Sequence, residues 1–266
     1  FTPSKFLTFS IHLDGEKAEH DAAVCQDGVY EKAVAAIAAA KAKGFRVNVN
    51  STLFDNATSE GAARFFDTAT GLGVDGITVS PGFSYERAPN QEHFLNRKRT
   101  KELFRGIFER GKGKNWPLSH SSMYLDFLAG NQDYRCTPWG NPTRTVFGWQ
   151  KPCYLLGEGY VNTFRELMDY TDWDLYGTGN YHRCADCMAH CGYEATAVAD
   201  MVRKPGKGLK AAISGIKTQG DMAPEIPLEN AQKADFVFEK VVEDQLRRTE
   251  MHATGAEGSD EDSRAA

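Results

Sequence analysis

The chain has 266 residues, enough for one large α/β domain with additions. Its formal net charge of -5 and its pI near 5.8 argue against nucleic acid as a partner, because that binding depends on clustered Lys and Arg. The sequence shows no apolar run of the about 18 to 20 residues that a membrane span needs, and its first residues lack the order of a signal peptide. A cytoplasmic protein is therefore expected.

The first part of the chain predicts alternating strands and helices. Alternating apolar and polar residues predict strands at Phe6–Leu13, Phe45–Asn50 and Gly76–Ser80. Amphipathic patterns between them predict helices at Val29–Lys43 and Ser59–Leu72. This alternation indicates right-handed parallel crossovers, so the predicted fold class is α/β with a parallel sheet of the barrel or doubly wound type.

The later part predicts mostly helices and loops. A helix is expected at Arg97–Arg110, a short one at Asn162–Asp169 and a charged amphipathic one at Leu228–Thr249. The last residues, 253–266, are small, polar and acidic, which predicts disorder. We therefore expect an α/β part at 1–130, an extension at 131–205 and a helical, partly disordered tail at 206–266.

Each predicted strand has one polar side. Successive side chains of a strand point to opposite faces, and the apolar side must face the helices, so the polar side points into the interior. Buried polar groups cost about 1 to 3 kcal/mol each unless they are hydrogen-bonded, which favours a bound polar ligand or water. In the alternative, they bond one another or line a wet face. The polar residues singled out are Ser10, His12, Asp14, Asn48, Asn50 and Ser80.

A cysteine group near residue 190 predicts a metal site. The three thiols are those of Cys184, Cys187 and Cys191. A fourth ligand is needed to close such a site, and Cys153 is the first candidate for it and Cys136 the second. Zinc and an iron-sulfur cluster both accept four thiolates, so the spacing leaves the metal open. Reduced cysteines in an ordinary loop are the alternative, and His190 is expected to be an exposed neighbour.

Long strings of the sequence match a known family. They are FTPSKFLTFSIHLDG, EHD at residues 19–21, VSPGFSYE, FLAGNQDYRCTPWGNPTRTVFGWQKPCYLL, TFRELMDYTDWDLYGTG and CADCMAHCGYE. Over nearly all of residues 1–193 the chain resembles the radical S-adenosylmethionine (SAM) family, and within it the adenosylhopane synthases of hopanoid biosynthesis and their relatives.

The resemblance implies a partial (β/α) barrel with a cysteine-rich C-terminal extension. It implies a [4Fe-4S] cluster that cleaves SAM, and a 5'-deoxyadenosyl radical that adds to the alkene of diploptene to form adenosylhopane. An electron donor such as flavodoxin or ferredoxin and loose membrane association follow from it. The six polar strand residues would surround SAM, and Phe83 and Tyr85 would lie near the hopene.

One departure from the family matters most. The cluster-binding CxxxCxxC motif is absent from the sequence, and the Cys184 group has a different spacing. We therefore expect a truncated piece, inactive alone, in which the Cys184 group is an auxiliary iron-sulfur or zinc site. The alternatives are a radical SAM enzyme that acts on another substrate and a non-catalytic metal-binding module.

Overall fold

The computed structural model describes residues 1–84 and 92–233. The chain forms two compact units, and each is described by itself. The first contains the described residues of 1–83, 90–135 and 186–225; the second contains those of 84–89, 136–185 and 226–266.

The first unit contains a parallel sheet surrounded by helices. Its elements are β1 (Thr8–His12), α1 (Lys17–Ala23), α2 (Val29–Ala42), β2 (Arg46–Leu53), α3 (Ser59–Gly71), β3 (Gly76–Pro81), α4 (Arg97–Arg110) and α5 (Ser122–Leu128). The second unit contributes β4 (Thr143–Thr145), β5 (Gly148–Gln150), β6 (Tyr160–Val161) and α6 (Phe164–Asp169). The first unit then resumes with α7 (His190–Arg203) and α8 (Pro205–Ser214).

The predicted parallel sheet is confirmed. Its strand order is β1–β2–β3, and both pairings are parallel. Beyond β3, the segment around Leu118 adds a further parallel bridge, because Ile77 N–H donates to Pro117 O and Ser119 N–H donates to Ile77 O. Strand β1 is shorter than predicted, since Phe6 is exposed and precedes the paired residues. Closure into a barrel stays a prediction.

The apolar side of the sheet forms the core of the first unit. Val47 and Val49 of β2 and Ile77 and Val79 of β3 are fully buried, as the alternation predicted. Helices α3 and α4 pack against each other and bury aromatic and aliphatic side chains, among them Phe65, Phe66, Phe104 and Ile107. Burial of this kind stabilises by about 1.5 to 3 kcal/mol for each large side chain.

The helix boundaries follow from local capping. The Thr58 hydroxyl accepts from Gly61 N–H and begins α3, while the Asn96 side chain accepts from Arg99 N–H and begins α4. The predicted helix at Arg97–Arg110 is confirmed residue for residue. Helix α1 begins with a capping box in which Glu16 and Glu19 satisfy each other's backbone N–H groups.

Helices α7 and α8 belong to the first unit, and the predicted domain boundaries stay a prediction. Helix α7 packs against α5, and the ring of Tyr193 stacks on Phe127 with centroids 4.7 Å apart. The Arg97 guanidinium donates to Asp133 and to the Cys187 carbonyl oxygen, which ties α4 to the approach to α7. Residues 186–225 therefore belong to the same unit as the parallel sheet.

The second unit contains a small antiparallel sheet of order β4–β5–β6. Helix α6 confirms the predicted short helix, and Thr163 and Glu166 form its capping box. The prediction of a helix that starts at Leu228 was wrong. Glu229 and Asn230 form a turn instead, and Gln232 forms an isolated β-bridge with Tyr181. The rest of that predicted helix and of the tail lies outside the described residues.

Among residues 1–84 and 92–233, no helix combines the length and the apolar character that crossing a bilayer requires.

Candidate functional site at the carboxyl edge of the parallel sheet

The polar sides of the three strands form rows across the sheet. Strand register aligns Ser10 with Asn48, and His12 with Asn50. Further along, it aligns Thr52 of β2 with Ser80 of β3. Exposure falls from β1 to β3, because Ser10 and His12 are exposed, Asn48 and Asn50 are half-buried and Ser80 is buried. The sheet therefore presents one hydrophilic face that is open at β1 and covered at β3.

A glycine makes room on this face. A Cβ atom at Gly76 would lie 2.4 Å from the Ser119 hydroxyl and 2.8 Å from Asn48 Oδ1, distances that real Cβ atoms do not reach. Because Gly76 has no side chain, the Asn48 amide and the Ser119 hydroxyl can both lie next to β3. The polar row continues across it from β2 to the segment around residue 119.

A hydrogen-bonded chain of side chains lies at the end of β1. His12 Nε2 is 2.7 Å from Asp14 Oδ2, and the other carboxylate oxygen, Oδ1, accepts from Thr52 N–H at 2.7 Å. The backbone N–H of Asp14 donates to Nδ1 of His20, which is fully buried in α1. Asp14 is thus held by β2 and in turn orients the His12 ring, whose side chain is 49% exposed.

The two imidazoles of this chain differ in pKa. The hydrogen bond to Asp14 raises the pKa of His12 above its ordinary value of 6.5, against a smaller opposing effect of burial. Burial lowers the pKa of His20. His12 is therefore the member of the pair that is more readily protonated.

His12, Asp14 and His20 place three ligand atoms within 4.8 Å of one another, a spacing that could hold a metal ion. Their hydrogen bonds oppose this role. Because Asp14 N–H donates to Nδ1 of His20, a neutral ring carries its proton on Nε2, so neither nitrogen of His20 has a lone pair to offer a metal ion. The arrangement instead suits recognition of a hydrogen-bonding ligand by His12.

A cavity of about 450 Å³ adjoins Asp14 and Thr52 at the same edge. Its wall combines the carboxylates of Asp14 and Glu19 with the rings of Phe54 and Phe94, whose centroids are 6.1 Å apart. Small residues of α1 and α3 complete the wall. The cavity offers an apolar surface next to fixed hydrogen-bond acceptors, the usual character of a small-molecule site.

A second imidazole cluster lies at the end of β3. Ser80 Oγ is 3.1 Å from His190 Nδ1, and the rings of His120 and His190 have centroids 5.7 Å apart. His120 Nδ1 is 3.3 Å from Glu194 Oε2, while the other oxygen of Glu194 accepts from Ser121 N–H at 2.9 Å. His190, expected to be an exposed neighbour of the thiols, is half-buried because the start of α7 lies against β3.

Burial governs the pKa values in this second cluster. It lowers the pKa of His190 below 6.5, and the charge of His120 acts in the same direction. Burial alone would raise the pKa of Glu194, but hydrogen bonds from His120 and Ser121 outweigh it and lower that pKa. Sequence reasoning missed this cluster, since His120 and Glu194 are 74 residues apart and no local pattern links them.

The residues predicted near the substrate are only partly described. Phe83 is half-buried just after β3, at the carboxyl edge of the sheet. Tyr85 lies outside the described residues. Their proximity to a substrate stays a prediction.

The predicted metal ligands divide between the two units. In the second unit, Cys184 belongs to a buried cluster with Leu156 and Tyr181, and Cys153 packs against that cluster. Burial raises the pKa of the Cys153 thiol. Cys187 and Cys191 lie in the first unit, so the four-thiolate site stays a prediction. Cys136, the second candidate for the fourth ligand, lies in the second unit.

A carboxylate lies close to the thiols of the second unit. Glu158 accepts hydrogen bonds from the hydroxyls of Tyr176 and Tyr181, at 2.8 and 2.5 Å. Both tyrosines contact the apolar cluster that contains Cys184. Burial, followed by the hydrogen bond to Glu158, raises the pKa of Tyr176 far above its ordinary value, so this hydroxyl remains a donor.

Comparison with protein families identifies one match. A family model described as "Domain of unknown function (DUF3463)" matches residues 77–211, which is half of the chain. The chain belongs to that family. The DUF3463 match begins in β3 and ends in α8, so it includes the Ser80–His190 cluster and the cysteines from 136 to 191. The polar residues of β1 and β2 precede it.

Other comparisons add little to the family. No curated protein matches the chain. Among solved structures, the chain is similar to native anSMEcpe with bound AdoMet. The two are 14% identical, the match covers 77% of this chain and 68% of that one, and the TM-score is 0.47. The same enzyme with bound AdoMet and Kp18Cys peptide matches with 14% identity, 78% of this chain, 69% of its own and a TM-score of 0.46. At this level of similarity the matches do not establish a shared activity.

Proposed function

We propose that this chain is the SAM-binding portion of a radical SAM enzyme and that the hydrophilic face of its parallel sheet holds SAM. The observation that carries the proposal is the row of fixed polar groups at the carboxyl edge, with the His12–Asp14–Thr52 chain at its centre. Parallel α/β sheets bind their ligands at this edge. The resemblance of the sequence strings to adenosylhopane synthases gives the chemistry.

The residues of the face fit a zwitterionic, hydroxyl-rich ligand. His12 offers a ring nitrogen as a hydrogen-bond partner, while Asn48 and Asn50 offer amide groups that both donate and accept. Ser10 and Ser80 are the flanking hydroxyls. Asp14 has a further part, because its two oxygens bond His12 and Thr52 N–H and so orient the His12 ring beside the proposed ligand.

When bound and reductively cleaved, SAM supplies a 5'-deoxyadenosyl radical, and we propose the terminal alkene of a hopene such as diploptene as its acceptor. The chain's own part is to bind and orient SAM. The apolar wall of the cavity beside Phe54 and Phe94 suits a hydrocarbon acceptor. Loose membrane association and a flavodoxin or ferredoxin as electron donor belong to the same proposal.

The cluster that cleaves SAM does not fit the cysteines of this sequence. It needs CxxxCxxC, which the chain does not contain, so its ligands are not assigned to any residue here. For the Cys153 and Cys184 thiols we propose an auxiliary iron-sulfur or zinc site with Cys187 and Cys191. The packing of Cys153 against the cluster of Cys184 supports the first two of these ligands.

Calorimetric titration with SAM and with S-adenosylhomocysteine tests the proposal on the chain itself. We expect Asn50→Ala to weaken binding about tenfold, the usual effect of losing one or two buried hydrogen bonds. Asn141→Ala, which removes an exposed amide in the second unit, is the matched control and should bind as the wild type does. Absence of binding, or equal losses in the two variants, would sink the proposal.

A non-catalytic metal-binding module is the second candidate function, and the cluster of Cys153 and Cys184 favours it. Anaerobic reconstitution with iron and sulfide, and separately with zinc, discriminates the two readings when it is combined with Cys184→Ala. A metal stoichiometry near one with no SAM binding would favour the module. Metal retained by Cys184→Ala at the wild-type level would contradict the assigned ligands.

A further inference from the structure

The end of α7 and helix α8 expose an unusual group of apolar side chains. We call four of them the α7–α8 patch: Val198 (39% exposed), Val202 (73%), Leu209 (62%) and Ile213 (76%). Among the described residues of the first unit, the only other large apolar side chains this exposed are Phe1 and Phe6, near the first residue. Scattered exposed residues need no explanation, but two pairs on consecutive helices do.

The patch follows helical spacing. Val198 and Val202 are four residues apart on α7, and Leu209 and Ile213 are four apart on α8, so each pair lies on one side of its helix. On α7 a different side is buried, where Tyr193 and Ala197 face the core. Helix α8 packs against α5 and α7. Both helices are therefore held by the unit while their apolar pairs face outward.

The segment that carries the patch is rich in basic residues. Between residues 198 and 217 the sequence has five Lys or Arg and one acidic residue, Asp200, although the whole chain has a net charge of -5. The Asp200 carboxylate is engaged by the Tyr134 hydroxyl at 3.0 Å and by Lys204 at 3.2 Å. Arg203, the last residue of α7, and Lys204, which lies between the two helices, are both exposed. The segment is thus apolar and cationic within an acidic protein.

We propose that the α7–α8 patch binds the surface of a membrane that contains anionic lipids. Apolar side chains on one side of a helix, bordered by Lys and Arg, enter the boundary between headgroups and acyl chains, and anionic headgroups attract the cations. Each such cation strengthens binding, and salt weakens it. A second copy of this chain is a poorer fit, because its patch carries the same positive charge. The inference builds on the loose membrane association of the proposed function by naming the surface responsible, and it is tested without SAM.

Co-sedimentation with phosphatidylcholine vesicles, with and without about 30% phosphatidylglycerol, tests this surface. We expect wild-type chain to bind the anionic vesicles and to be released as NaCl rises from about 0.05 to 0.5 M. Leu209→Glu with Ile213→Glu should weaken binding at least about tenfold. Val146→Glu is the control, because Val146 is 94% exposed but lies in the second unit. Circular dichroism melting confirms that each variant remains folded.

Equal binding by the control and the double variant would overturn the proposal, as would wild-type chain that ignores anionic vesicles. In the latter case light scattering tests the other occupant, because a dimer whose mass falls to that of the monomer in the double variant means that a second copy covers the patch. SAM titration of the same samples keeps the two hypotheses separate, since the patch variants should bind SAM normally.

Discussion

The histidines beside the outer strands β1 and β3 of the parallel sheet have pKa values that are shifted in opposite directions. At β1, His12 is half exposed and bonded to a carboxylate, and its pKa is raised. At β3, His190 is half-buried against a serine hydroxyl and another imidazole, and its pKa is lowered. The difference teaches that exposure and the hydrogen-bond partner, rather than the residue type, decide in which direction the pKa of a histidine shifts.

The largest expected effect comes from the carboxylate of the β3 cluster. Glu194→Ala leaves the Ser121 N–H and the His120 ring without their acceptor, and we expect a loss of about 3 kcal/mol in the free energy of unfolding. Glu194→Gln retains an acceptor and should lose less than half of that. Urea denaturation measures both. If both variants unfold at the wild-type urea concentration, the carboxylate does not hold α7 to the sheet.

At β1, Asp14→Ala should lose about 2 kcal/mol, because Thr52 N–H and His12 lose a charged acceptor in a side chain that is 6% exposed. The same change should lower the pKa of His12 toward its ordinary value. Denaturation and NMR titration of the His12 ring report the two effects. An unchanged His12 pKa would show that Asp14 does not orient this ring.

Ser80→Ala is a smaller change that sharpens the comparison. It removes the hydroxyl beside His190 Nδ1 without changing any charge, so we expect a loss of about 1 kcal/mol. Thr78→Ala, on the same strand and the same side, is the control, because Thr78 is less buried. Equal losses in the two variants would mean that general burial, and not the bond to His190, stabilises the end of β3.

The smallest effect is on the pH dependence of stability. The folded pKa of His12 is above its unfolded value of 6.5, so its contribution is complete below pH 6.5 and is lost as pH rises through the folded pKa. His190 has a lowered folded pKa, so stability is lost as pH falls below 6.5 toward that value. His12→Gln should lose the fall in stability that wild type shows as pH rises above 6.5, and His190→Gln should lose the fall that wild type shows as pH drops below 6.5. Profiles changed on the same side would contradict the comparison.

The sequence predicted the β1 end of the site far better than the β3 end. His12 alternates with its apolar neighbours Ile11 and Leu13, and this pattern is local. Because successive side chains of a strand point to opposite faces, the alternation alone places His12 on the polar face of the sheet. His120, His190 and Glu194 meet only because α7 packs on β3, and no spacing in the chain records that contact. Helix α7 was missed for a related reason, since its N-cap is Ala189, which supplies no side-chain signal.

Other misses had a readable signal. Ser121 caps α5 by accepting from Tyr124 N–H, and serine before an apolar run is a known helix start. Helix α1 has Glu16 where Ser or Thr is usual, so its capping box was not recognised. The cysteines, like the β3 cluster, depend on long-range packing that the sequence does not show. Their spacing predicts one shared metal ion, whereas the whole fold decides which unit each cysteine belongs to.

The interrupted chain of the first unit has a consequence for its biosynthesis. Residues 1–135 leave the ribosome before the 50 residues of 136–185, and only then do α7 and the Cys187 carbonyl that Arg97 binds become available. Tyr193, which stacks on Phe127, and helix α8 follow after them. Nascent chains stalled before residue 186 should therefore expose the Phe127 side of α5 to chaperones, and release of the remaining residues should end that exposure.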